Sequence, residues 1–324
     1  MPKPALLSTG PMMRLIEDGI DASFTVHRMH QTTDLDTLLE SIGRDVRAVC
    51  TGSHTGVRTD AALIGRLPSL KVIANFGVGY DTIDIPAAAK RGIIITNTPD
   101  VLTEEVADTT LGLLLSTVRE FYNAEKWLRD GRWAKEGDYR LTAASLRDRK
   151  IGIAGFGRIG KAIARRIEAF GLPVSYFSRR PQPGVANRHY GDLVAMARDV
   201  DTLIAIVPGG PATQNLINGA VLEALGPRGI LINMARGSVV DEAALIAALE
   251  ARTILAAGLD VYVGEPNINP ALLALDNLTL LPHVGSGSIH TRNQMGQLVV
   301  DNLAAFAAGK PPPTPVPETP FKGW

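Results

Sequence analysis

Ile151-Gly-Ile-Ala-Gly155-Phe-Gly157-Arg-Ile-Gly160 is the stretch whose reading decides the fold. An apolar strand runs into Gly-x-Gly-x-x-Gly, and a helix-patterned segment, Lys161-Ala-Ile-Ala-Arg-Arg-Ile, follows at once. In such a unit the first glycine permits the tight turn, the second lets the backbone approach a pyrophosphate, and the third lets the helix pack closely on the strand. The helix N-terminus then receives the negative charge. Glycines at this spacing also serve ordinary turns, so the motif alone is weak. Its setting between strand and helix, with a second strand at Val174-Ser-Tyr-Phe177, points to dinucleotide binding by Gly155, Gly157, Arg158, Ile159 and Gly160.

The end of that second strand carries the choice of dinucleotide. Proteins that prefer NAD place Asp or Glu there, where it accepts a hydrogen bond from the ribose 2′-hydroxyl. Here the residues are Ser178-Arg179-Arg180. With no carboxylate to repel a phosphate and two guanidiniums to pair with one, NADP should bind better than NAD, and NADPH better than NADH. The same arginines also read as solvated loop charges.

A chain of 324 residues is long for one core, which favours two domains. Its 33 basic and 33 acidic residues balance, which argues against nucleic acid or an anionic membrane as the main partner. No run of about 18 apolar residues is present to span a bilayer. The start, Met1-Pro-Lys-Pro-Ala-Leu-Leu7, lacks the apolar centre of a secretion signal, so a soluble cytoplasmic protein is expected. The single cysteine, Cys50, excludes an intrachain disulfide and ends the apolar run 46–50, which makes it a core filler rather than a nucleophile.

The first hundred residues alternate strand-like and helix-like segments. Strands are expected near 5–7, 24–27, 46–50, 72–75 and 93–96, with helices near 12–17, 35–42, 60–66 and 85–91. Such alternation predicts a parallel sheet covered by helices on both faces. Asn97-Thr-Pro-Asp100 breaks the pattern, and one long helix, capped by Thr103, is expected to run to about Leu128. A second series has strands at 151–154, 174–177, 202–207, 230–233, 257–260 and 278–281. Its helices fall near 161–170, 191–197, 219–224 and 242–251, so it reads as a second doubly wound domain carrying the glycine motif. A helix at 291–308 is expected to return to the first domain, making it discontinuous. The domains are therefore 1–99 with 286–324, and 100–285. The tail Lys310-Pro-Pro-Pro-Thr-Pro-Val-Pro317 reads as extended and mobile.

Three polar residues sit just past strands of the second domain, where such sheets place their ligands. They are Arg236 in Asn233-Met-Ala-Arg-Gly-Ser-Val-Val-Asp241, Glu265 before Pro266, and His283 in Leu280-Leu-Pro-His-Val-Gly-Ser286. A histidine oriented and kept charged by a carboxylate can donate a proton to a carbonyl oxygen as hydride arrives. A guanidinium can polarise that carbonyl and hold a substrate carboxylate. Taken singly, His283 also reads as a turn histidine, Glu265 as a loop charge and Arg236 as a helix cap. Spacing within one sequence does not bring the three together.

These segments resemble the D-2-hydroxyacid dehydrogenase family in order and context. The resemblance rests on Arg236-Gly-x-x-Val240-Asp241-Glu242, Gly258-Leu-Asp-Val261 with Glu265-Pro266, Pro282-His-Val-Gly285, Asn75-Phe-Gly-Val-Gly-Tyr-Asp81 and Thr103-Glu-Glu-Val-Ala-Asp108. It covers about residues 45–315 and is strongest with the NADPH-dependent glyoxylate/hydroxypyruvate and hydroxyphenylpyruvate reductases of the family. It implies a flavodoxin-like substrate domain and a Rossmann cofactor domain, both α/β and doubly wound. It implies His283 as proton donor, Glu265 as its partner and Arg236 as substrate anchor. Val78 and Gly79 would offer backbone N–H groups to the substrate carboxylate, a use that suits small residues, with Ser286 also on the substrate. The Gly77-Val78-Gly79 segment also reads as a plain strand-ending turn. Asp260 would bind the nicotinamide carboxamide, and Val207, Pro208, Met234, Ala235 and Gly285 would line the cofactor's path. No metal is expected.

Substrate on one domain and cofactor on the other imply a cleft that closes, with hinges near residues 98–100 and after His283. The resemblance further implies a homodimer formed through the connecting helix and the segment after it. Phe121, Trp127 and Trp133 would be its anchors or, alternatively, side chains buried within one subunit. The activity expected is reduction of a small 2-oxo acid. Alternatives are NAD-dependent oxidation of a D-2-hydroxy acid, oxidation of formate or phosphite, and a dinucleotide-sensing corepressor scaffold. Formate enzymes of this kind carry Gln where Glu265 stands, which weighs against formate.

Overall fold

The computed structural model of the protein describes residues 3–147 and 149–324. Met1 and Pro2, the first residues of the stretch read for a secretion signal, lie outside them. The chain divides into two compact units, Met1–Leu102 with Ser288–Trp324, and Thr103–Gly287. Both are parallel sheets with helices between successive strands, the two doubly wound domains that alternation predicts.

The first unit holds β1 (Ala5–Ser8), β2 (Thr25–Arg28), β3 (Val46–Thr51), β4 (Val72–Asn75) and β5 (Ile94–Thr96) in the order β2-β1-β3-β4-β5. All neighbours are parallel. Sheets of this kind are buried on both faces, which is why β3 and β4 read as nearly continuous apolar runs instead of alternating ones. Leu7, Val49, Ile73 and Ile95 are fully buried at their centre. Cys50 is buried among them, and burial pushes its thiol up to about 12, as suits a packing residue. The strand order reverses between β1 and β3, so the ends of β1, β3 and β4 border the crevice where such sheets take ligands.

The helix Ile289–Ala307, capped by the Ser288 hydroxyl, packs on the helix Arg14–Ser23 and on β4. Gly296 makes this approach possible, since a Cβ there would lie 2.7 Å from the Met13 sulfur. The tail corrects the expectation of mobility. Pro315 bridges to Thr96, the Val316 N–H donates to the Ile95 carbonyl at 2.9 Å, and the Thr319 hydroxyl accepts from the Ile95 N–H at 2.9 Å. Proline removes donors from a segment, but Val316 and Thr319 retain enough to dock it along the edge strand β5.

The second unit holds β6 (Ile151–Ala154), β7 (Val174–Phe177), β8 (Arg188–Tyr190), β9 (Thr202–Ala205), β10 (Ile230–Asn233), β11 (Ala256–Leu259) and β12 (Leu278–Leu280). Their order is β12-β11-β10-β9-β6-β7-β8, again parallel throughout. The chain winds outward from β6 to β8 and returns to start β9 on the other side of β6. That reversal is the crevice of a dinucleotide sheet. β8 has no counterpart in the sequence reading, because Arg-His-Tyr lacks an apolar run; its pairing with β7 makes it a strand.

The long connecting helix is broken, contrary to expectation. Thr103–Arg119 and Phe121–Arg129 are separate helices, and Glu120 between them takes the left-handed conformation with φ 53°. Its carboxylate accepts from the Tyr139 hydroxyl and the Arg140 guanidinium, both at 2.6 Å, contacts invisible to helical periodicity. Thr103 is the first residue of its helix and not a cap before it. That helix packs on the helix Arg158–Ala169, joined by Arg166 to Asp108 at 2.6 Å. Among the described residues no helix is long and apolar enough to cross a membrane.

Candidate active site

The glycine turn of the second unit is shaped by steric necessity. Gly155 has φ 101°, and a Cβ there would lie 2.7 Å from the Ile206 carbonyl oxygen, so the ends of β6 and β9 meet only through glycine. A Cβ at Gly160 would collide with the Gly155 carbonyl. Gly157 faces open space and caps the helix Arg158–Ala169 without any side-chain hydrogen bond. The N-terminus of this 12-residue helix therefore takes no side-chain cap from its Gly157 end. This fits a bound dinucleotide, whose pyrophosphate would sit on the first turn at Arg158, Ile159 and Gly160.

Around this turn lie the other residues expected to touch the cofactor. Ser178 follows β7, its hydroxyl donating to the Arg180 carbonyl at 2.6 Å and its carbonyl 2.8 Å from the His189 ring. These bonds hold the loop from which Arg179 and Arg180 project, both exposed and without an ion pair among the described residues. Val207 adjoins Gly155, its backbone nitrogen 2.9 Å from the position of a Cβ there. Pro208 is exposed, with its carbonyl accepting from the Thr213 hydroxyl at 2.6 Å.

Arg236, Glu265 and His283 belong to the loops after β10, β11 and β12, three adjacent strands. The first loop is tied by Asn233, a 1 % exposed residue. Its side chain accepts from the Ala235 N–H and donates to the Arg236 carbonyl, both at 3.0 Å. Met234 and Ala235 are buried beneath, while the Arg236 guanidinium donates to the Ala235 carbonyl at 2.8 Å. Gly237 then lies so close to Tyr262 that any side chain would strike its carbonyl group. This contact draws the loops of Arg236 and Glu265 together. The Tyr262 N–H donates to one Glu265 oxygen at 3.0 Å, and His283 Nδ1 lies 2.6 Å from the other.

The electrostatics follow from these contacts. Burial works against the Glu265 carboxylate, but the hydrogen bonds from His283 and the Tyr262 N–H, with the charges of His283 and Arg236, outweigh it. Glu265 is therefore held below the usual carboxylate range. With Nδ1 committed to this carboxylate, the ring of His283 has a fixed orientation and a free choice only at Nε2.

His283 itself adopts φ 54°, a conformation uncommon for a residue with a Cβ. Asp260, 2 % exposed, accounts for it. Its two oxygens accept from the Val284 N–H at 2.7 Å and the Gly285 N–H at 2.8 Å. Burial raises the Asp260 pKa, and those two N–H groups offset the rise only in part. A Cβ at Gly285 would meet this carboxylate at 3.0 Å and the Met234 methyl at 3.2 Å, and Thr109 donates to the Gly285 carbonyl at 3.2 Å. Asp260 thus grips the chain just after His283. Ser286, next along, is half-buried.

In the first unit, Val78 and Gly79 lie in the turn after β4. Every carbonyl of Gly77-Val78-Gly79 is taken. The Asn75 amide donates to the Gly77 and Gly79 oxygens at 2.9 and 3.0 Å, and the Asn97 amide donates to the Val78 oxygen at 2.9 Å. A turn whose carbonyls are all taken in this way could offer its N–H groups to an anion.

Asn75, Asn97 and Asn233 carry no role in the sequence reading. The signal that could have found them is an asparagine ending, or directly following, an apolar parallel strand. An amide at such a strand end can reach the backbone of a nearby turn, as Asn75, Asn97 and Asn233 do.

Comparison with known proteins places the chain in a family. A profile described as the D-isomer specific 2-hydroxyacid dehydrogenase, NAD binding domain, matches residues 111–285. The chain is similar to a hydroxyphenylpyruvate reductase of Plectranthus scutellarioides, 42 % identical over 306 residues, 94 % of this chain and 96 % of that protein. A glyoxylate/hydroxypyruvate reductase of Arabidopsis thaliana is equally similar, 42 % identical with the same coverage of both chains. An NADPH-dependent glyoxylate/hydroxypyruvate reductase of Sinorhizobium meliloti, solved with NADP and malonate, superposes with a TM-score of 0.92 at 48 % identity, covering 98 % of each chain.

Proposed function

Because the chain belongs to the D-isomer specific 2-hydroxyacid dehydrogenase family, whose members are NAD(P)-dependent oxidoreductases, we propose that it reduces small 2-oxo acids to D-2-hydroxy acids with NADPH. Glyoxylate and hydroxypyruvate head the substrates, as in the names of its relatives. The observation that carries the proposal is the 2.6 Å contact between His283 Nδ1 and Glu265 at the carboxyl edge of the dinucleotide sheet.

Bound reduced nicotinamide supplies the hydride. The protein supplies the rest. Ionised Glu265 keeps the proton of Nδ1 in place, so Nε2 is the nitrogen that hands a proton to the keto oxygen. Arg236 polarises that oxygen and pairs with the substrate carboxylate, a charge-assisted contact of the stronger kind. The Val78 and Gly79 N–H groups take the same carboxylate, and Ser286 contributes a hydroxyl to the substrate. Asp260, through Val284 and Gly285, keeps His283 in the conformation that serves this transfer. Gly155, Gly157, Arg158, Ile159 and Gly160 cradle the pyrophosphate, and Arg179 and Arg180 take the 2′-phosphate. In this reading the unit Met1–Leu102 with Ser288–Trp324 is the substrate domain and Thr103–Gly287 the cofactor domain. A cytoplasmic homodimer through the 121–146 region accounts for the exposed Phe121, Leu128 and Trp133 there.

Decay of NADPH absorbance with glyoxylate or hydroxypyruvate tests the reading. Turnover far below about 1 per second would favour a dinucleotide-sensing scaffold. His283→Ala should lower kcat at least about 100-fold with the fold retained, the usual worth of a positioned general acid. Near-normal turnover would remove His283 from the reaction. Arg179→Ala and Arg180→Ala should raise KM for NADPH far more than for NADH; equal effects would refute the 2′-phosphate assignment.

A further inference from the structure

Within the first unit, the Val78 carbonyl is held by the Asn97 amide at 2.9 Å, and Asn97 is itself held by the Pro-rich segment that follows the last helix. Thr314 takes both backbone polar groups of Asn97. Its hydroxyl donates to the Asn97 carbonyl at 2.6 Å, and its own carbonyl accepts from the Asn97 N–H at 3.3 Å. Thr314 is anchored in turn by Asn302, a 1 % exposed residue of the helix Ile289–Ala307. The Asn302 amide donates to the Thr314 hydroxyl at 2.8 Å, and its oxygen accepts from the Thr314 N–H at 3.0 Å.

A hydroxyl carries one donor and can accept as well, so the Thr314 side chain uses both capacities. The bonds run one way, from the Asn302 amide to the Thr314 hydroxyl to the Asn97 carbonyl, and bonds chained like this strengthen one another. Proline keeps the segment stiff. Of residues 311–317 only Thr314 and Val316 retain an N–H, and both are engaged, by Asn302 and by the Ile95 carbonyl. The fixed φ of the prolines around them leaves less backbone freedom to lose on docking. A second tie lies just past the turn, where the Tyr80 hydroxyl donates to the Glu318 carboxylate at 3.1 Å. Tyr80 also packs against the core cluster that contains Val316. The segment therefore reaches the Gly77-Val78-Gly79 turn from two sides.

We propose that Thr314 is a positioning residue of the 2-oxo acid site: acting through Asn97, it keeps the Gly77-Val78-Gly79 turn in the shape that receives the substrate carboxylate. The inference rests on the reading of that turn as the seat of the carboxylate. Thr314 has no contact with substrate in this scheme, so its effect falls on binding of the acid and leaves the cofactor alone.

The test measures KM and kcat for glyoxylate at saturating NADPH, the inhibition constant of oxamate, and the Kd of NADPH by calorimetry. Oxamate sets a carboxylate beside a carbonyl that is not reduced, so it reports binding without chemistry. Thr314→Val keeps the branched shape and removes the hydroxyl, and Thr314→Ser restores it. The valine variant should raise KM and the oxamate constant about fivefold, with kcat and the NADPH Kd within about twofold, as suits one or two lost hydrogen bonds. Serine should bring both back to within about twofold of wild type. In an Asn97→Ala background Thr314→Val should add less than about twofold, because its route to Val78 is gone. Should the valine variant not fold, Thr314→Ala removes the same hydroxyl without apolar bulk and carries the same expectations. A parallel fall in NADPH affinity, a KM that serine does not restore, or full additivity with Asn97→Ala would make Thr314 a residue of stability only and overturn the proposal. If Asn75→Ala raises KM and Thr314→Val does not, the turn keeps its substrate and this inference alone fails. If neither variant moves KM, the reading of the turn fails beneath it.

Discussion

At the end of β6, Gly155 and Gly160 shape their turn by what they lack; at the end of β4, Gly77 and Gly79 are held by what two asparagines supply. In the first case a Cβ would strike backbone carbonyls, so the geometry follows from steric exclusion within one short stretch and a neighbouring strand. In the second, Asn75 and Asn97 fix all three carbonyls of the turn, and the Thr98 N–H adds a bond to the Gly77 oxygen at 3.1 Å. Both turns follow a parallel strand. One is built from covalent structure, the other from tertiary hydrogen bonds. Turns of the first kind tolerate almost no substitution, whereas the second kind can be loosened by degrees.

That contrast can be broken by experiment. The largest effect is expected from Gly160→Ala. The added methyl meets the Gly155 carbonyl, which has nowhere to yield, and overpacking of this sort costs about 1–3 kcal/mol. The loss should fall on the cofactor: calorimetric titration should show NADPH bound at least about 30-fold more weakly, roughly 2 kcal/mol. Unchanged affinity would mean that the turn is not shaped by exclusion.

A smaller and differently placed effect is expected from Asn75→Ala. Each lost hydrogen bond is worth about 0.5–1.5 kcal/mol, so KM for the 2-oxo acid should rise about tenfold while the affinity for NADPH stays within about twofold. If cofactor affinity fell as far as substrate affinity, the two turns would not be separable in the way described.

The smallest effect concerns pH. Glu265 is held below its usual pKa, so its contribution to stability is fully present above the ordinary carboxylate value and disappears as pH falls through the lowered one. The urea midpoint of the wild type should therefore exceed that of Glu265→Gln at neutral pH, and the difference should shrink on the acid side. The half-exposed setting of the pair keeps the difference small. Asn75→Ala, which removes no ionisable group, should leave the shape of the acid-side profile unaltered. A constant offset between wild type and Glu265→Gln across the range would remove the linkage.

Much of the fold was legible in the sequence because parallel strands buried on both faces are short apolar runs separated by helical patterns. Eleven such runs announce themselves in this way; Arg188-His-Tyr190 does not, since its strand character comes from pairing with β7. The interruption at Glu120 escaped for a related reason, as its partners Tyr139 and Arg140 lie some twenty residues downstream. The docked tail escaped because a Pro-rich composition describes what a segment cannot do by itself, and β5 supplies what it lacks.

For the site, Gly155-x-Gly157-x-x-Gly160 was readable from covalent structure alone, and so was the absence of an acidic residue at Ser178-Arg179-Arg180. The joining of His283 to Glu265 was not. It depends on Gly237 admitting Tyr262, on Tyr262 orienting Glu265, and on Asp260 gripping the backbone beyond His283. Local sequence can specify a conformation that sterics permit or forbid within a few residues. Bringing a histidine to its carboxylate across eighteen residues requires the sheet to set three strand ends side by side, and only the folded chain does that.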